Sequence, residues 1–288
     1  MAKPAPTTTA TGKDLGAVRA AQSESPGLFG VAGLSSVFRA LLPFVVAILA
    51  WWAIWAVLDP PEIILVSPAS VFGSFIESIV EGALPTFIAR SLARLGIGTL
   101  IAIGIGVPMG WLLGLDEDVA QAAEPIMRFF NAVSGIAWLP AMIIWFGFTE
   151  TTIQAVIVYT MLFPVAFNAM IGVRTIPKRY RDACRTMGAG TLRIIRDVYM
   201  PGSFPSVMTG LRLGIGFGWR ALIAGEFVVG TTAGGGLGFF IFDARTQGVI
   251  GKVMAGMIVL GVLWLLMDRL ILRPIEETIN VKWGAVSA

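Results

Sequence analysis

Three ionisable side chains lie inside one long apolar stretch: Arg212, Arg220 and Glu226, within 207–230. Facing lipid, each would cost about 2.5–3.5 kcal/mol on insertion scales, so each needs a partner or a polar path. Arg212, Trp219 and Glu226 are seven residues apart and share one helix face, and Arg220 lies about 100° round from Trp219. Two readings stand for this set. In one, Arg212 snorkels to an interface and Glu226 or Arg220 enters a buried ion pair. In the other, Arg220 makes a membrane pathway attractive to an anion. Trp219 and Glu226 then belong to the pathway set with Asn168, the single Asn of the 151–173 stretch. Trp138 and Pro140 shape its wall, since a proline inside a membrane helix kinks it and frees a carbonyl.

Other chemistry is thinly represented. The sequence has no His and one Cys, Cys184, which excludes histidine catalysis, His-ligated metal sites and intrachain disulfides. No metal site and no catalytic residue is expected. Gly12-Lys13 is followed by Asp14 and Gly251-Lys252 by Val253, so neither forms a phosphate-binding loop. If ATP is used, another polypeptide binds it. An intramembrane serine hydrolase would want a Ser with a His base or a Gly-x-Ser-x-Gly turn, and both are missing from the sequence.

The elements that carry these residues must be membrane helices. Of 288 residues, 56% are hydrophobic and 14% charged, against about 25% charged in soluble domains. The net charge of +3 and a pI near 9.3 reflect loop charges and give no reason to expect nucleic acid as a partner. Apolar runs of membrane length predict about six spans, near 41–58, 95–115, 129–148, 151–173, 207–230 and 253–272. The 67–84 stretch contains Glu77 and Glu81 and reads as an amphipathic surface helix. Residues 1–37 read as a polar, disordered tail and not a signal peptide, because the first apolar run begins near residue 41. Residues 284–288 form a short C-terminal tail. Alternate segments carry 15 Lys and Arg on one side against 4 on the other. This bias places both termini and the 174–206 loop in the cytoplasm, where Cys184 stays reduced.

That loop, 176–205, reads IPKRYRDACRTMGAGTLRIIRDVYMPGSFP. Pro177 suits a first helical turn, and Tyr180, Ala183, Cys184 and Met187 then form a narrow apolar stripe. Gly188 falls where a helix takes a left-handed cap, and a second short helix from Thr191 is expected to end at Pro201. By pattern alone this is a basic amphipathic helix that would also suit anionic membrane lipid.

The spacing adds something more specific. Asp182-Ala183-Cys184, three residues, Gly188, nine residues, then Val198-Tyr199-Met200-Pro201 resembles the cytoplasmic "EAA" loop of ABC importer permeases. Ala137-Trp138-Leu139-Pro140 with Trp145-Phe146-Gly147, Gly236-Leu237-Gly238, Asp268 and Lys282-Trp283 resemble the nitrate/taurine/sulfonate branch of that family. The resemblance covers about Leu41 to Trp283, and it implies an all-α membrane protein whose permease domain, 38–283, has the MetI-like fold with cytoplasmic coupling helices. It also implies a multi-pass permease of the bacterial inner membrane, which is not itself an enzyme. Two ATPase subunits holding ATP and magnesium would dock on the loop, and a second copy of the chain would complete the pathway. An extracytoplasmic binding protein would deliver a small anion of the sulfonate, taurine, nitrate or bicarbonate kind. The alternative is an ion-coupled secondary transporter, which would use carboxylates or His near the midplane; Glu226 alone fits that demand. Gly106, Gly110 and Gly114, and Gly210, Gly214 and Gly218, repeat every four residues as helix-packing ladders, within one subunit or between two.

Overall fold

The computed structural model describes residues 31–282, with side chains described for 42–278, and every regular element among them is helical. The chain divides into two compact units, 1–61 and 62–288. The first is represented by α1 (Val31–Leu58). This helix begins inside the stretch expected to be a tail; residues 1–30 and 283–288 lie outside the described part.

In the second unit, α2 (Pro68–Val80) starts where the Ser67 hydroxyl accepts the Ser70 N–H, with Pro68 in the first turn. Next come α3 (Ala83–Gly114), α4 (Glu117–Ala132), a 3-10 turn (Gly135–Trp138) and α5 (Leu139–Phe146). They are followed by α6 (Glu150–Arg174), α7 (Lys178–Thr186) and α8 (Thr191–Ile194). A π-type turn (Ile195–Tyr199) runs into α9 (Met200–Val229), and α10 (Leu237–Thr246) follows. After α11 (Ile250–Met267), a second π-type turn (Asp268–Leu272) joins α12 (Arg273–Lys282).

The core is organised around α6. Ile153, Val156, Ile157, Met161, Val165, Ala166, Ala169 and Met170 have no exposed surface, as a helix that is apolar all round demands. Both glycine ladders pack on it, so within this chain they serve intrasubunit packing. A Cβ on Gly106, Gly110 or Gly114 of α3 would press on the Leu162, Ala166 and Met170 carbonyls in turn, which makes α3 parallel to α6. Gly210, Gly214 and Gly218 of α9 meet Pro164, Met161 and again Met161 in the reverse sense, which makes α9 antiparallel. Small residues bring the backbones together where lipid supplies no hydrophobic drive.

Parallel α3 and α6 require the chain to recross between Gly114 and Glu150. It does so as a bent pair, α4 and then Gly135–Phe146, which meet at 79°. The 129–148 stretch is therefore not one straight helix. Among the described residues, three helices are long and apolar enough to cross a membrane, Ala83–Gly114, Glu150–Arg174 and Ile250–Thr278, and four if the bent pair is one span. Two more candidates remain: α9, whose 30 residues span about 45 Å but carry two arginines and a glutamate, and the shorter apolar helix Leu42–Leu58. Large apolar side chains such as Leu100, Leu112, Ile144 and Leu270 are exposed, as a hydrocarbon surround permits.

Candidate functional site

Three places in the second unit concentrate polar groups. The first lies at the end of the bundle where α6 leaves and α9 begins. Helix α7 is capped by a Schellman turn: Ala189 N–H donates to Cys184 O (3.0 Å), Gly188 N–H to Arg185 O (2.9 Å), and Gly188 sits at φ +80°. Two ion pairs tie this end to α4: Lys178 Nζ of α7 meets Glu117 (2.7 Å), and Arg174, the last residue of α6, meets Glu124 (2.9 Å). Asp116 starts α4 by accepting the Asp118 and Val119 N–H groups, and Glu117 and Asp118 fill its first turn, so these acids suit the positive end of the helix. The apolar groups are left outward: Tyr180 is 51% exposed, Met187 78% and Leu192 80%. Ala183 is exposed as well, whereas Cys184 is half-buried. Asp182 is exposed and accepts from Arg181 Nε at 3.1 Å; that bond and the carboxylate charge hold the Arg181 guanidinium above its ordinary value.

Pro201 does not end the second short helix. It sits in the first turn of α9, and the π-type turn carrying Val198 runs on into it. Proline has no N–H to give the Asp197 carbonyl, and the wider turn absorbs the mismatch without a break.

The second place is a cavity of about 290 Å³ where the α4–α5 break meets α6 and α9. Gly135 lets the break close on α6, since a Cβ there would overlap Thr160. On α6, Pro164 lacks the N–H that the Thr160 carbonyl would otherwise receive. On α9, Phe217, Arg220 and Ala221 fall at i, i+3 and i+4 and share the face toward the cavity. Arg220 makes no ion pair among the described residues.

The third place, at the opposite end of α9, is a buried ionic knot. Arg94 is 5% exposed, and all five of its N–H donors are used. Nε and Nη2 donate to the two Glu150 oxygens (2.7 Å each), Nη1 to Glu226 Oε1 (2.7 Å) and to Gly235 O (2.5 Å), and Nη2 to Ala233 O (2.7 Å). Glu226, with no exposed surface, also accepts from Ser91 Oγ (2.7 Å) and Gly238 N–H (3.0 Å). Ser91 Oγ in turn accepts the Leu237 N–H (2.9 Å). The knot ties α3, α6 and α9 to the glycine-rich 230–238 loop.

Comparison with known proteins identifies this architecture. Residues 102–272 match the family described as the binding-protein-dependent transport system inner membrane component, well over half of the chain. The chain belongs to this family. The taurine transport permease TauC of Escherichia coli is 30% identical to this permease over 84% of the chain and 88% of its own length. The nitrate import permease NrtB of Leptolyngbya laminosa is 30% identical over 90% and 94%. Bicarbonate and aliphatic-sulfonate permeases are also among its relatives, which places it in the nitrate/taurine/sulfonate branch. Inward-facing structures of the MetNI methionine ABC transporter share the fold, with a TM-score of 0.55 at 18% identity over 68% of this chain and 95% of theirs. The permease is thus the membrane subunit of an ABC importer and not an enzyme.

Within the permease the six residues assigned to a pathway separate. Arg220 lines the cavity. Trp138 packs on Tyr159, a lining residue, at 5.5 Å between ring centroids. Asn168 Nδ2 donates to the carbonyl of Pro164, also a lining residue, at 2.8 Å. Pro140 is exposed in the first turn of α5. Trp219 faces the core and Glu226 the knot. The buried partner of Glu226 is Arg94, neither Arg220 nor Arg212; Arg212 instead meets Asp268 (2.8 Å) and Glu276 (2.6 Å). Sequence reasoning counted Arg94 as a loop charge and missed Ser91 and Glu150. It also missed Phe130, Tyr159, Thr160, Phe163 and Phe217 around the cavity, where Pro164 alone gave a local signal.

Proposed function

We propose that this importer subunit carries a small anion, of the sulfonate, taurine, nitrate or bicarbonate kind, through a pathway that passes Arg220. The observation that carries the reading is Arg220 itself: a guanidinium with no counter-ion among the described residues, in a cavity formed where one helix pair breaks and α6 contains a proline. An unpaired charge at membrane depth is costly unless a polar path or an anion meets it. Taurine, nitrate, bicarbonate and sulfonate relatives all move solutes with an anionic group.

The assembly follows the same reading. The chain crosses the inner membrane six times, with both termini and the 176–205 loop in the cytoplasm, as the Lys and Arg bias indicates. Two copies of the chain line one pathway. Two ATPase subunits, which hold ATP and magnesium, dock on the loop at Tyr180, Asp182, Ala183, Cys184, Met187 and Gly188, with Val198 and Pro201 shaping the return. The outward Tyr180, Met187 and Leu192 supply the apolar contact such docking needs. An extracytoplasmic binding protein delivers the solute to the opposite face.

The test is uptake by the full importer in proteoliposomes with Arg220→Gln. Because Arg220 pairs with nothing described, the variant should assemble with its ATPase normally and lose most anion uptake. Unimpaired uptake would refute the Arg220 route. Loss of the assembled complex would show that the charge is structural.

A further inference from the structure

The end of the bundle that carries the 176–205 loop holds another cavity, of about 340 Å³, which shares no lining residue with the one at Arg220. We infer that it binds a phosphate group, that of an anionic phospholipid headgroup in the adjoining leaflet. Its place follows from where the helices stop. α3 finishes at Gly114 and α6 at Arg174, and both are long and apolar enough to cross a membrane. Their common end therefore lies at the boundary between hydrocarbon and water. α7 and Tyr199 of the first π-type turn complete the wall.

Three cations line this cavity, Arg174 of α6 with Lys178 and Arg181 of α7, against one acid, Glu117. Each cation makes a single bond to a carboxylate: Arg174 Nη1 to Glu124, Lys178 Nζ to Glu117 and Arg181 Nε to Asp182. Arg181 thus keeps both Nη groups, and Arg174 its Nε and Nη2, without a hydrogen bond among the described residues. Both guanidiniums are only 30% exposed, so water reaches them poorly. A guanidinium grips a phosphate through two such N–H groups at once, and here two guanidiniums from different helices point that chemistry at one cavity.

The rest of the lining favours a lipid over a soluble anion. Leu115, Ile171 and Ile176 add apolar surface beside the cations. Free phosphate leaves that surface facing water, whereas a phospholipid covers it with its glycerol and first acyl carbons. Basic pockets between helix ends at a membrane surface take phospholipid headgroups on these terms. The proposed docking face stays clear. Lys178 and Arg181, three positions apart, share one face of α7, while the exposed Tyr180, Ala183 and Met187 fall on the opposite face. A headgroup therefore sits behind α7 without covering the outward stripe.

The test is native mass spectrometry of the full-length permease with its ATPase, titrated in detergent with dioleoylphosphatidylglycerol or dioleoylphosphatidylcholine, and with sodium phosphate as competitor. Phosphatidylglycerol should bind once per permease chain, about tenfold or more tightly than phosphatidylcholine, whose choline cancels the phosphate charge. Arg181→Gln, which gives up only a surface pair with Asp182, should lower that affinity about tenfold. Should that variant not assemble, Arg174→Gln makes the same measurement from α6. Arg179→Gln removes the same charge from the same loop but outside the cavity, where Arg179 lies over the Tyr180 ring, and should leave binding unchanged. If Arg179→Gln weakens binding as much as Arg181→Gln, the loop merely attracts an anionic surface and the inference fails. Equal binding of the two lipids, or no lipid retained, also overturns it. If sodium phosphate displaces phosphatidylglycerol from the parent but not from Arg181→Gln, the occupant is a soluble anion and the lipid assignment falls.

Discussion

Replacing Arg94 by Met tests the ionic knot most severely, because one side chain there serves five acceptors. Its loss acts unequally on the two carboxylates. Glu150 is 51% exposed, takes up water, and contributes at most about 1 kcal/mol. Glu226 has no exposed surface and keeps only Ser91 and the Gly238 N–H, so a buried charge is left without its counter-ion. Removing one partner of a buried pair typically costs about 3–5 kcal/mol. The Ala233 and Gly235 carbonyls also lose their donor, which frees the 230–238 loop. Arg94→Met should therefore destabilise the permease by about 3–5 kcal/mol. The double variant Arg94→Met/Glu226→Leu, which removes both charges, should recover about half, with the Gly238 N–H still unsatisfied. Equilibrium unfolding of the purified permease in detergent measures both, and protease sensitivity within 230–236 reports the loop. A stability within about 1 kcal/mol of the parent for Arg94→Met would refute the argument. So would a double variant as unstable as the two single losses added together.

Three further outcomes are expected. Gly188→Val should abolish ATP-driven uptake and ATPase co-purification with membrane insertion unchanged, at a strain of about 1–3 kcal/mol for φ +80°, while Gly188→Asn, which tolerates that conformation, should retain both. Asp182→Lys should lose co-purification of the ATPase without loss of permease stability, because its pair with Arg181 is a surface contact worth about 0–1 kcal/mol; normal co-purification would leave the loop as a lipid-surface element. Gly110→Val should lower the melting temperature through about 1–3 kcal/mol of overpacking against Ala166 and Ala169, whereas Gly104→Val, with open space on the same helix, should change it little.

The 176–205 loop was legible because its signals are local. A helix start at Pro177, an apolar stripe and a left-handed Gly188 depend on residues within one or two turns, and all three are present in the fold. The stop at Pro201 was misjudged for a related reason. Proline ends a helix it interrupts but is welcome in the first turn of the next, and only the π-type turn before it decides between these roles.

The sequence by itself determined that this chain lives among lipids, that it has no histidine chemistry, and that its charges within α9 require an explanation. Composition and run length suffice for those conclusions, because the cost of hydrating apolar surface or burying charge belongs to each residue. Tertiary structure decided how the charges divide. Arg212 and Glu226 share a helix face in sequence, yet one finds Asp268 and Glu276 and the other finds Arg94, 132 positions away. Arg220 is left to the cavity because Phe130, Tyr159 and Phe163 reach it from two other helices. A charge's partner is fixed by which helices pack together, and that packing is set by two glycine ladders closing on α6 from either side. Periodicity along one helix carries no record of what lies across the gap.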